Sequence, residues 1–317
     1  MRIDTHVHFR DGDQSYKETI KHGLMIAKEQ GVEYVFDMPN TLEPILRKED
    51  VEKRLELVPE SEKGRYFLYI GATINEDQLK EAVSLVNEKK EVIGIKMFAG
   101  KSTGDLQILS EEEQKKVYQI LTDNNYTGVI SIHCEKEAFM TDTFDPSDPI
   151  THATSRPKEA EIESVKDQIR FVKETNFKGT LNICHVSCAE SVELVNEAKK
   201  EIKITCEVTP HHGMWSNEKL KEDNGLLYKM NPPLRDEKDV KALQECIKKG
   251  KIDFIGTDHA PHTIGEKLYG SHPSGCPSLY NYKEFVEEFL PRVGVSEEQI
   301  KNMTFNNINK TFNLELV

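Results

Sequence analysis

The chain has 317 residues, 37% hydrophobic and 31% charged, a balance that excludes a disordered polymer and fits one large domain or two ordinary ones. Its 42 basic and 55 acidic side chains give a net charge of −13, which argues against nucleic acid or an anionic membrane as partner. No apolar run nears the ~18 residues of a membrane span, and the polar Arg2, Asp4, His6 and His8 argue against a signal peptide, so a soluble cytoplasmic protein is expected.

Short apolar runs rich in β-branched residues predict strands, in chain order, at Ile3–His8, Tyr34–Met38, Tyr66–Ala72, Val92–Phe98, Gly128–Cys134, Thr180–Val186, Ile202–Thr209 and Asp253–Asp258. Between them apolar residues recur at helical spacing, as in Ile20, Met25 and Ile26, then Val51, Leu55 and Val58, then Leu79, Val83 and Val86. Ser110 with Glu113, and Ser187 with Glu190, read as capping boxes that open helices. Thr141–Arg156 and His259–Tyr280 lack periodicity and read as long loops. Cys134, Cys184, Cys188, Cys206, Cys246 and Cys276 show no CxxC pair and read as reduced, buried thiols.

Strands alternating with helices require a parallel sheet, because each parallel connection needs a crossover. Eight such units predict a closed (β/α)8 barrel of the TIM type, α/β in class, over an open doubly wound sheet. The first strand opens at residue 2 or 3, so one barrel domain over 1–317, without an accessory N-terminal β-sandwich, is expected.

The chemistry lies at the strand ends. His6 and His8 alternate along the first strand, so both point to one face with Cα atoms roughly 6.5–7 Å apart, a span one metal ion bridges. His133 ends the fifth strand, His185 the sixth and Asp258 the eighth, with Lys96 near the end of the fourth. Each alone reads better as an ordinary core or surface residue. In a parallel barrel, however, all these ends meet at one mouth. Imidazole with carboxylate suits Zn²⁺ or a similar divalent ion, and so many ligands suit two metals about 3.5–4 Å apart. A charged Lys96 beside two cations would be repelled, so it must be neutral, displaced or chemically changed.

These residues resemble the amidohydrolase superfamily and, within it, the dihydroorotase family. The resemblance runs from Asp4 to about Phe312. It is carried by Asp4-Thr5-His6-Val7-His8-Phe9-Arg10-Asp11, Asp37-Met38-Pro39-Asn40-Thr41, Ile95-Lys96-Met97-Phe98, Lys229-Met230-Asn231-Pro232-Pro233-Leu234-Arg235 and Gly256-Thr257-Asp258-His259-Ala260-Pro261-His262. It implies a hydrolase of cyclic-amide C–N bonds that interconverts N-carbamoyl-L-aspartate and L-dihydroorotate in pyrimidine biosynthesis. It further implies two Zn²⁺ per subunit bridged by a carboxylated Lys96. One metal would be held by His6, His8, Lys96 and Asp258, the other by Lys96, His133 and His185. A metal-bridging hydroxide would be the nucleophile and Asp258 the general acid and base.

On the substrate side, Arg10 lies two residues past His8 and offers a planar fork to a carboxylate. The resemblance adds Asn40 and His262 to that clamp, and places His8, Asn231, Ser274 and Gly275 around the ring. A structural salt bridge is the alternative for Arg10, and turn chemistry for Asn231, Ser274 and Gly275. Ser102 and Thr103 fall where the family has a loop that closes over substrate. Asp11-Gly12-Asp13 departs from the more frequent Asp-Pro-Gly without removing a ligand. The competing readings are a dihydropyrimidinase (hydantoinase) or allantoinase, and a non-catalytic partner of aspartate transcarbamoylase. A homodimer is the oligomer considered, because a barrel without the sandwich leaves apolar surface uncovered.

Overall fold

In the computed structural model, which describes residues 1–101 and 106–316, each apolar run forms one parallel strand. They are β1 (Ile3–Val7), β2 (Tyr34–Asp37), β3 (Tyr66–Gly71), β4 (Val92–Ala99), β5 (Val129–Cys134), β6 (Thr180–Ile183), β7 (Ile204–Val208) and β8 (Phe254–Ile255). Their order in the sheet is their order in the chain. The barrel closes where Val7 bridges His259 in parallel and the His8 amide donates to the His259 carbonyl at 2.7 Å. All eight named strands belong to this barrel.

Most strands differ from their predicted runs by a residue or two, but β6 and β8 stop well short of theirs. β6 stops at Ile183 because His185 turns into the left-handed region, φ 37°. β8 stops at Ile255 because the Thr257 amide turns to Asp4 Oδ1 at 2.8 Å and Asp258 adopts φ 51°. In both cases the strand ends early at a candidate site residue, where local strain of about 1–3 kcal/mol is held by the surrounding hydrogen bonds.

The barrel interior is layered. At its N-terminal end Ile3, Phe36, Tyr69, Ile93 and Phe254 pack together, and Phe312 plugs them with its ring 5.0 Å from that of Phe36. Each such ring taken out of water stabilises the fold by roughly 1.5–3 kcal/mol. Above them is a polar layer: Thr205 Oγ1 donates to Asn182 Oδ1 (2.9 Å), and Asn182 Nδ2 donates to Ser131 Oγ (3.2 Å). The candidate ligands occupy the mouth. Helices including Glu76–Glu88, Glu111–Asp123 and Lys158–Glu174 cover the outside through residues such as Leu79, Val117 and Phe171.

Some local expectations change. The helix Ile20–Glu29 buries Leu24, whereas Met25 is 49% exposed, so Met25 lies off the apolar stripe. Ser110 does cap Glu111–Asp123, its hydroxyl accepting from the Glu113 amide. Ser187 caps nothing: the next helix, Ala189–Ala198, starts after Cys188, and the Ser187 hydroxyl is taken by buried Glu161. The two long loops carry short helices, Thr151–Ser155 and Ile264–Tyr269. All six cysteines are buried and free.

Candidate metal centre and substrate pocket

Three ligand atoms converge at the mouth. Asp258 Oδ1 is 2.9 Å from His8 Nε2 and 3.3 Å from His6 Nε2, and the two Nε2 atoms are 3.2 Å apart. Ligands at about 2.0–2.1 Å around a tetrahedral zinc stand ~3.3 Å from one another. The far nitrogens show which way each ring is protonated. His6 Nδ1 donates to Glu207 Oε1, and His8 Nδ1 donates to Asn40 Oδ1 at 2.7 Å. Both Nε2 atoms are then lone pairs facing each other and a carboxylate, an arrangement that repels itself unless a cation sits between. The donor set fits a divalent metal.

A second pair of imidazoles lies at the same mouth. His133 Nε2 donates to Glu135 Oε2 at 3.0 Å, which leaves Nδ1 as a lone pair 3.1 Å from His185 Nε2. Glu135 is itself gripped by Arg156, whose Nε donates to Oε1 at 3.1 Å. Burial holds His133 below its ordinary value and His185 well below, so both rings are neutral and able to ligate. Burial alone would raise the Asp258 carboxyl; positive charge beside it, as on His6 and then His8 when protonated, outweighs that and holds it well below its ordinary value. Lys96, fully buried on β4, donates to Cys184 Sγ at 3.0 Å and lies 5.0 Å from the Phe98 ring centre.

Arg10, Asn40, Asn231, Ser274 and Gly275 line one cavity together with His6, His8, His133, His185 and Asp258. Arg10 is placed by the strand beside it. The Phe9 amide donates to Asp37 Oδ1 (2.9 Å), and buried Arg54 pairs with Asp37 Oδ2 (2.6 Å) while donating to the Arg10 carbonyl (2.7 Å). The Arg10 side chain donates from Nε to the Pro261 carbonyl (3.2 Å), and Nη2 stands 3.1 Å from His262 Nε2. His262 is half-buried behind Arg10, and burial, with Arg10 and Lys17 nearby, holds it at about 2 and hence neutral.

Ser274 Oγ donates to Asn231 Oδ1 at 3.0 Å. The Gly275 amide donates to the Lys229 carbonyl (2.9 Å) and its carbonyl accepts from Lys267 (2.8 Å), so Gly275 offers the cavity space more than hydrogen bonds. Its φ of +133° and the 2.7 Å from a built Cβ to the Ala260 carbonyl exclude a side chain there. Ser102 and Thr103 lie outside the described residues.

Sequence reasoning missed Glu207, Cys184 and Glu135. Glu207 and Glu135 were signalled as charged residues inside an apolar strand and one position past the end of another, where only a partnered carboxylate is tolerated. Cys184 gave no signal distinct from an ordinary buried thiol.

The sequence profile of the Amidohydrolase family matches residues 2–315, and the chain belongs to that family. Among curated relatives it is 32% identical to a dihydroorotase of Fusobacterium nucleatum, over 98% of this chain and 72% of that protein. It is 36% identical to a dihydroorotase of Thermococcus kodakarensis, over 87% of this chain but only 59% of the relative. In fold it is similar to the L-hydantoinase of Arthrobacter aurescens (TM-score 0.82, 21% identity, 98% of this chain and 70% of that one). A dihydroorotase of Campylobacter jejuni has the same fold (TM-score 0.74, 20% identity, 99% of this chain and 84% of that one). No helix among the described residues is long and apolar enough to cross a membrane.

Proposed function

We propose that this chain is a dihydroorotase that interconverts N-carbamoyl-L-aspartate and L-dihydroorotate. The observation that carries this reading is the state of Arg10. It is 3% exposed, lines the cavity of the histidine–aspartate cluster, and makes no ion pair among the described residues. A buried guanidinium without an anion is costly, and its planar fork matches the α-carboxylate of both substrates. Hydantoin and allantoin have no such group. The names of the curated relatives agree with this reading.

We infer two zinc ions, with His6, His8 and Asp258 toward one, His133 and His185 toward the other, and a carboxylated Lys96 between them. Two observations support the carbamate: Lys96 is fully buried, and the hydrogen-bond acceptor it meets is a thiol. When bound, the ions lower the pKa of water and polarise the ring carbonyl. In hydrolysis, Asp258 accepts the proton of the attacking water and delivers it to the amide nitrogen as the C–N bond breaks. In ring closure the same carboxylate takes that proton from the carbamoyl nitrogen and returns it to the departing oxygen. Arg10, with Asn40 and His262, holds the α-carboxylate throughout.

The test is turnover of L-dihydroorotate by the metal-loaded protein, with hydantoin run in parallel and a chelator control. Chelator-sensitive hydrolysis of dihydroorotate but not hydantoin is expected. Activity on hydantoin alone would transfer the reading to the dihydropyrimidinases. No activity with metal bound would leave a non-catalytic role.

A further inference from the structure

The cavity wall that carries Asn231, Ser274 and Gly275 is built from two irregular loops, one after Tyr228 and one before Cys276. Neither has strand or helix bonding; the Gly275 amide reaches the Lys229 carbonyl at 2.9 Å, and side chains add to that link. Lys267, on the short helix Ile264–Tyr269, is 3% exposed and directs its ammonium between them. Each of its three protons meets a backbone carbonyl: Lys229 at 2.9 Å, Pro273 at 3.1 Å and Gly275 at 2.8 Å. Lys229 answers in the opposite sense, donating from Nζ to the His272 carbonyl (2.9 Å) and to Ser274 Oγ (3.0 Å).

Neither lysine makes an ion pair among the described residues, although both are buried. Burial disfavours both ammonium groups, with Arg156 adding to this at Lys229, and the carbonyls around Lys267 offset it by accepting all three of its protons. A fold that only needed two loops joined would not have to bury two cations to do it. The bonds lead on into the pocket: Lys229 Nζ donates to Ser274 Oγ, which donates to Asn231 Oδ1 at 3.0 Å. With its oxygen engaged, the Asn231 amide keeps its N–H₂ as the group available to a ring carbonyl.

Resting on the dihydroorotase reading, we propose that Lys267 and Lys229 are positioning residues that staple the two loops across each other and fix the Asn231 amide for recognition of the substrate ring. They touch neither the reacting atoms nor the proposed metal ligands. Their removal therefore weakens substrate binding and leaves the chemistry in place.

The experiment compares metal-loaded wild type with Lys267→Met, Lys229→Met and Ser274→Ala, by kcat, KM, zinc content and backbone amide exchange across 271–276. Losing a charge-assisted clamp should raise KM for L-dihydroorotate about tenfold or more in each variant, with kcat within about threefold and zinc unchanged. Exchange across 271–276 should accelerate in the two lysine variants but not in Ser274→Ala, which breaks only the link to Asn231. Unchanged KM and unchanged exchange in Lys267→Met would overturn the proposal, as would a joint loss of kcat and zinc. Should Lys267→Met fail to fold, Lys229→Met carries the same readouts. Should the wild type not turn over dihydroorotate, the functional reading fails, and the exchange data still decide whether the lysines staple the loops.

Discussion

Asp258 Oδ1 lies 2.9 Å from His8 Nε2, although 250 residues separate them in the chain. The contact exists because β8 closes against β1, and it puts an ionised carboxylate beside the imidazole that the Asn40 side chain holds in one tautomer. Asp258→Asn keeps the shape and removes the proton acceptor. It should lower kcat for dihydroorotate hydrolysis by roughly 10²–10⁴-fold. A loss under tenfold would remove Asp258 from the proton path.

On the proposed reading Arg10 holds the substrate carboxylate, so Arg10→Met should separate binding from chemistry. KM for L-dihydroorotate should rise by about 10²-fold, while any residual turnover of hydantoin stays level, because only the first substrate carries a carboxylate. Parallel loss on both substrates would show that Arg10 holds the pocket together and does not select.

Glu207 fixes His6 by accepting from Nδ1, and also accepts from Thr5 Oγ1 at 2.9 Å. Glu207→Gln presents an amide that can offer the wrong partner to the ring. Zinc affinity, measured by competition with a chromophoric chelator, should fall about 10–100-fold. Excess zinc should then restore activity. Unchanged affinity would reduce Glu207 to a packing residue.

Acid should destabilise the protein through histidines outside the ligand set. Burial, with Lys229 nearby for His152, lowers His152 from 6.5 to about 3 and His211 from 6.5 to about 4. Between those values and 6.5 the unfolded chain binds the proton and the folded one does not. Stability is therefore present above pH 6.5 and is lost as pH falls toward the folded values, at about 1.4 kcal/mol per pH unit for each histidine. Urea titrations of chelator-treated protein at pH 6.5 and 4.5 should show the loss, and His152→Gln should reduce it. An unchanged slope in that variant would sink the assignment.

The ends of the strands were legible because period-two alternation and apolar runs are local: they place His6 and His8 on one face, and they put His133, His185 and Asp258 at the mouth of any parallel barrel. The early stop of β8 was not legible, since it depends on Thr257 turning its amide to Asp4 from the far end of the chain. Ser187 misled for the same reason. Its spacing to Glu190 is that of a capping box, but buried Glu161 from another helix takes the hydroxyl first.

The sequence by itself determined the alternation of strands and helices, the family, and which residue types reach the barrel mouth. Only the tertiary structure decided which nitrogens of His6, His8 and His133 face inward, because Glu207, Asn40 and Glu135 engage the opposite nitrogens. It likewise decided that Arg10 meets no carboxylate among the described residues and that two lysines bond across the loops of the cavity wall. Local periodicity encodes direction along one element; hydrogen-bond partners are chosen by what the closed barrel brings within 3 Å, and no short stretch of chain carries that information.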